Sequence, residues 1–149
     1  KTIFRFQKKQ FHKKMIFWSA VTYTDPEDQR LTLYKNTNKA TLLIGNVEVD
    51  FFNEEGNHIS ILYSDSAQIN EQTNNLQANG NVHVVSDSGY TLTTSNILWD
   101  NRYKMIVAED SVIFTTTEGD SLYGVGFESD MDLERWTIYR PFGIAREGI

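Results

Sequence analysis

Apolar and polar residues alternate with a period of two along most of this chain. Val47, Val49 and Phe51 share one parity, with Glu48 and Asp50 on the other. Ile59, Ile61 and Tyr63 repeat the pattern after the turn at Asn53-Glu54-Glu55-Gly56-Asn57, and Val82 and Val84 repeat it against His83 and Val85. Alternation of this kind marks a strand with one buried face. No helical spacing of apolar positions persists beyond about two turns. The chain reads as all-β.

The pattern recurs. Asn46-Val47, Asn81-Val82 and Ser111-Val112 open three similar segments, 35 and then 30 residues apart, and Gly56, Gly89 and Gly119 mark three turns 33 and 30 residues apart. Asp87-Ser88-Gly89 has the composition of a type I′ or related tight turn, because Asp and Gly tolerate positive φ. Each unit is expected to be a strand, a turn, a strand and then a further strand, such as the one carrying Ile97, Leu98 and Trp99. Repeats of this length indicate stacked β-units. Such units are expected to stack as long hairpins closing over one shared apolar interior. Val47, Val49, Phe51, Ile59, Ile61, Tyr63, Val82, Val84, Leu92, Val112, Phe114, Leu122, Trp136 and Ile138 are expected to line that interior, with Trp99 as an end-stop or seam residue.

Outside the repeats, Met15 to Thr24 and Arg30 to Tyr34 read as strands, joined by a turn at Asp25-Pro26-Glu27-Asp28. Residues 1–14 read as a basic N-terminal arm or a first strand, and 15–149 as one domain. The longest apolar run, Met15 to Val21, is far short of the ~20 residues that span a bilayer.

Composition adds two constraints. The 149 residues contain no cysteine, which removes disulfides and thiolate metal sites. Residues 1–14 hold six of the fourteen basic side chains and no acid, so the rest of the chain carries all twenty acids. An acidic body is a poor match for nucleic-acid phosphate, and no nucleic-acid partner is expected.

The motif census is empty of catalysis. His12, His58 and His83 lack zinc-ligand spacing, and no P-loop or Gly-Xaa-Ser-Xaa-Gly element is present. Gly124-Val125-Gly126 lies in a strand pattern, where glycine marks a bulge or a close backbone approach. Glu128, Asp130, Asp132 and Glu134 fall at alternate positions and read as a solvated sheet face. Used as an acid and base pair, they would instead make a carbohydrate-active β-enzyme. No catalytic residue, metal or cofactor is assigned.

One-sided apolar strands have two readings, an ordinary core or a groove for acyl chains. Burial is worth ~0.8 kcal/mol per methylene, so a twelve-carbon chain could gain on the order of 9 kcal/mol at most. Such a carrier needs no catalytic group.

Gly80-Asn81-Val82, the run from Leu92-Thr93-Thr94 to Leu98-Trp99-Asp100, Asp110-Ser111-Val112, and Tyr123 to Asp130 continuing through Leu133 together resemble the LptC family. The resemblance covers roughly residues 18–143. It implies an all-β fold, a twisted, open β-jelly roll of antiparallel hairpins, in a lipopolysaccharide-export component that takes lipid A acyl chains into its interior. The lipid would come from an ABC transporter made of LptB, LptF and LptG and pass to the bridge protein LptA. It further implies a periplasmic location, with members normally tethered to the inner membrane by an N-terminal helix that this chain lacks. A soluble LptA-like bridge of the same fold is the alternative.

Overall fold

The computed structural model describes residues 3–7, 14–17, 32–35 and 40–145, positions 54 and 71 excepted, with side chains from residue 42. Ten strands are formed: β1 (Ile3–Gln7), β2 (Lys14–Phe17), β3 (Thr32–Lys35), β4 (Ala40–Phe52), β5 (His58–Asn70), β6 (Leu76–Ser86), β7 (Thr91–Asp100), β8 (Met105–Thr115), β9 (Ser121–Ser129) and β10 (Trp136–Ala145). All belong to one antiparallel sheet. Its heart is the seven-strand meander from β4 to β10; β1 and β3 pair with the other edge of β4, and β2 follows β1. The terminal strands β10 and β2 do not pair with each other, so the sheet is open. The described parts of the expected strands Met15 to Thr24 and Arg30 to Tyr34 lie in β2 and β3, whereas residues 18–24, 30 and 31, the Asp25 to Asp28 turn and His12 lie outside the described residues.

The three repeated glycine turns are structurally equivalent. In each, the glycine N–H donates to the carbonyl three residues back: Gly56 to Asn53, Gly89 to Ser86 and Gly119 to Thr116, all at 3.0 Å. Each pair of flanking residues then closes with a second bond, such as Ser86 N–H to Tyr90 O at 2.9 Å. The glycines have φ of 88°, 103° and 90°. This is a three-residue hairpin loop ending in a left-handed glycine, one of the tight turns related to type I′ that the composition of Asp87-Ser88-Gly89 allows.

The Gly-Asn pairs do something different from what their spacing suggests. They do not open strands; they lie in the middle of them. Gly45 and Asn46 in β4, and Gly80 and Asn81 in β6, all have positive φ, as does Gly126 in β9. Register breaks fall between Ile44 and Val47, Tyr63 and Ser66, Asn79 and Val82, Thr94 and Leu98, and Ala108 and Ser111. The breaks form a line across the sheet. Bulges bend strands and increase their twist, so this line divides every long strand into two halves. Tyr90 to Trp99 is accordingly not two strands, since β7 runs continuously through its bend.

The two halves face one another. Adjacent strands are ~4.8 Å apart, so β4 and β7 would be ~14 Å apart in a flat sheet. Yet the rings of Phe51 on β4 and Trp99 on β7 meet at 5.4 Å between centroids. Phe114 on β8 meets Trp136 on β10 at 4.6 Å. Ser60 on β5 donates its hydroxyl to the Met131 carbonyl, beyond the end of β9, at 3.0 Å. One sheet therefore supplies both walls of the core.

Candidate functional site: an apolar interior between two halves of one sheet

Cross-strand register identifies the inward rows. In the half nearest the glycine turns, Val49, Leu62, Val84, Leu92, Phe114 and Leu122 lie side by side. In the other half the corresponding row is Leu43, Ala67, Ala78 and Ile97. A further row there runs through Ile69, Leu76, Trp99 and Ile106. Most of these side chains have no solvent exposure.

Of the expected lining residues, Val47, Val49, Phe51, Val82, Val84, Leu92, Val112 and Phe114 are buried in this core. Ile59, Leu122, Trp136 and Ile138 are partly buried and packed against it. Ile61 and Tyr63 are not inward. Asp50 pairs with Ile61 and Glu48 with Tyr63, on the face opposite the one carrying Val49 and Leu62.

The reason lies in the composition of β5. The parity of Ile59, Ile61 and Tyr63 is apolar and attracts the assignment, but Ser60, Leu62 and Ser64 face inward. Small hydroxyl residues fit where two halves approach closely, provided that the hydroxyl is paired. Ser60 bonds the Met131 carbonyl and Ser64 bonds the Ser66 carbonyl.

Leu43, Ala67, Ile69, Leu76 and Phe127, outside the expected lining set, complete the wall. Inward parity changes across the break in β5, from Ser60, Leu62 and Ser64 to Ala67 and Ile69, and in β7, from Leu92 and Thr94 to Ile97 and Trp99, whereas β4, β6 and β8 keep theirs. Gly45-Asn46 and Gly80-Asn81 lie opposite these changes and are the visible signal of them. Gly80 is needed for a second reason: a β-carbon there would lie 2.6 Å from the Asp65 carboxylate, which accepts a bond from the Asn81 amide at 2.8 Å.

The carboxylate run does not lie on a sheet face beyond Glu128. Asp130 to Arg135 form the turn between β9 and β10, where Asp130 Oδ1 accepts from the backbone N–H groups of Glu134 and Arg135, both at 3.1 Å. Burial, followed by a hydrogen bond with Asp132, raises the Asp130 pKa. These carboxylates hold a turn whose Met131 and Leu133 side chains enter the core. Among the described residues, no group of three or more His, Asp or Glu is placed to hold a metal ion. Gly124 fills the expected close-approach role, because an added β-carbon would clash with Ile138 Cγ2 and meet the Arg140 carbonyl at 3.0 Å.

Residues 26–141 match the protein family LptC, described as "Lipopolysaccharide-assembly, LptC-related". The chain belongs to the LptC-related family. Comparison with curated proteins gives no match. The LptC family is a non-enzymatic, periplasmic component of lipopolysaccharide transport, so membership ends the carbohydrate-enzyme alternative and accounts for an interior without catalytic groups. Among the described residues of this LptC-related chain, no helix is long and apolar enough to cross a membrane.

Proposed function

We propose that this protein receives lipopolysaccharide from an inner-membrane ABC transporter of the LptB, LptF and LptG type and passes it to an LptA-like bridge protein. The acyl chains travel between the two halves of the sheet. The observation that carries this reading is the interior itself, where one continuous apolar wall is contributed by every strand from β4 to β10 in a member of a lipopolysaccharide-assembly family. The proposed acyl-contacting residues are the inward and core-packed members of the expected set: Val47, Val49, Phe51, Ile59, Val82, Val84, Leu92, Val112, Phe114, Leu122, Trp136 and Ile138.

The open ends of the sheet support bridging. β10 is a terminal strand, and it exposes Tyr139, Phe142 and Ile144. An unpaired edge can take a further strand from another protein through backbone hydrogen bonds. In this reading the domain works on the periplasmic side, with its N-terminal end toward an inner-membrane tether.

Reconstitution with the transporter tests the proposal. A photo-crosslinking residue at Phe114 should capture lipopolysaccharide only when ATP is hydrolysed, and capture should fall when LptA is added. Equal capture with and without ATP would contradict directed hand-over.

A further inference from the structure

Among the described residues, the interior contains one polar group that the fold leaves unpaired. Inward hydroxyls are all satisfied locally: Ser60 by the Met131 carbonyl, Thr94 by the Ser111 carbonyl and Ser129 by the Asp130 carbonyl, at 3.0, 2.9 and 2.8 Å. Trp99 is different. Its side chain has no solvent exposure, and its indole N–H is buried without a hydrogen-bond partner. The other two such atoms, on Asn74 and Thr116, belong to turns outside the core. Phe51 lies edge-to-face against Trp99 with centroids 5.4 Å apart, and an aromatic ring is at best a weak acceptor.

A buried donor without an acceptor is destabilising, and buried tryptophan usually pairs its N–H. Phenylalanine would fill much of the same space without that penalty. The location of Trp99 supplies a reason for the N–H. It stands in the row with Leu76 and Ile106, one residue before Asp100 and the turn into β8, at the rim of its half. A lipid whose tail lies deep in the core would leave the root of its chain at such a rim. That root carries an ester or amide carbonyl, an acceptor that a bare hydrocarbon lacks.

We propose that the Trp99 N–H is a hydrogen-bond donor for the carbonyl at the root of a bound acyl chain. It makes the interior selective for acyl groups over alkyl groups. This inference rests on the lipid-carrier reading and specifies which atom of the lipid that site recognises.

The test uses the full chain and two soluble probes, 1-palmitoyl and 1-hexadecyl lysophosphatidylcholine. They differ in having an ester or an ether at the chain root. Calorimetric titration below the micellar concentration should show the ester binding about five-fold more tightly, the size expected of one neutral hydrogen bond. In Trp99→Phe the ratio should fall to about one, while the ether is bound as well as before. Equal binding of both probes to the unmodified chain, or a preference that survives in Trp99→Phe, would overturn the proposal. Failure of both probes to bind would remove the carrier reading itself, and this proposal with it. Should Trp99→Phe not fold, indole NMR of the unmodified chain gives the same decision. The Trp99 N–H proton should move downfield with the ester and not with the ether; identical shifts would overturn the assignment.

Discussion

Single residues determine which face of β5 belongs to the core. Leu62 has no solvent exposure and pairs with Val49 and Val84, whereas Ile61 is half-buried on the opposite face. Truncating a fully buried leucine typically costs ~2–5 kcal/mol, because transfer and cavity terms add. Leu62→Ala should therefore destabilise far more than Ile61→Ala, which is expected to cost about 1 kcal/mol or less. Chemical unfolding of the two variants checks this, and the reverse order would place the wrong parity inside. The sequence favoured Ile61 because its parity is richer in apolar residues. Alternation alone could not show that serine hydroxyls would find backbone carbonyl partners in the core.

His58 joins two turns. Its Nε2 lies 2.7 Å from Asp50 Oδ1 and its Nδ1 lies 2.7 Å from Asp87 Oδ2, with the Phe52 ring edge-on at 5.3 Å. Arg5 of β1 stands opposite Asp50 in the register. Burial lowers the His58 pKa, but hydrogen bonds and charge from Asp87 and Asp50 outweigh it, and the net shift is upward from 6.5. Protonated imidazole donates to both carboxylates; the neutral ring can donate to only one. The stabilisation is thus fully present below about pH 6.5 and lost as pH rises through the raised value. Relative to His58→Gln, the unmodified chain should gain ~0.5–1 kcal/mol at about pH 5.5, and almost none near pH 8.5. A pH-independent difference in thermal stability would refute this role. Alternation in the sequence does not show that Asp50 and Asp87 meet at the His58 ring, because the contacts arise only once β4, β5 and the β6–β7 turn are side by side.

At the scale of elements, hairpins were legible and bends were not. Gly56, Gly89 and Gly119 punctuate alternating strands, so their turns could be located from spacing and backbone chemistry. Gly45-Asn46 and Gly80-Asn81 were equally visible as repeats, but a mid-strand bulge and a strand start share the same composition. Only pairing on both sides of the break, as between β6 and β7, distinguishes them. Of the bulge or close approach expected at Gly124-Val125-Gly126, Gly124 makes the close approach, and the contact is severe. Gly124→Ala would drive a β-carbon against Ile138 and the β10 backbone. It should destabilise the chain by ~1–3 kcal/mol, the usual cost of overpacking. Loss of amide protection concentrated in β9 and β10 would locate the damage, whereas unchanged stability would argue against the observed β9–β10 packing.

For the whole molecule, family, fold class and the absence of catalytic chemistry could all be read from the residues. The relation between the two walls could not. Phe51 and Trp99, like Phe114 and Trp136, are neighbours only because a line of bulges folds the sheet against itself. The proposed path of the acyl chains runs between these halves. Val84 and His83 test it most directly, being adjacent in sequence and on opposite faces of β6. With a photo-crosslinking residue at each position in the transporter reconstitution, Val84 should capture lipopolysaccharide in the presence of ATP and His83 should capture little. Capture at His83 with none at Val84 would put the lipid on the wrong side of the sheet and contradict the account.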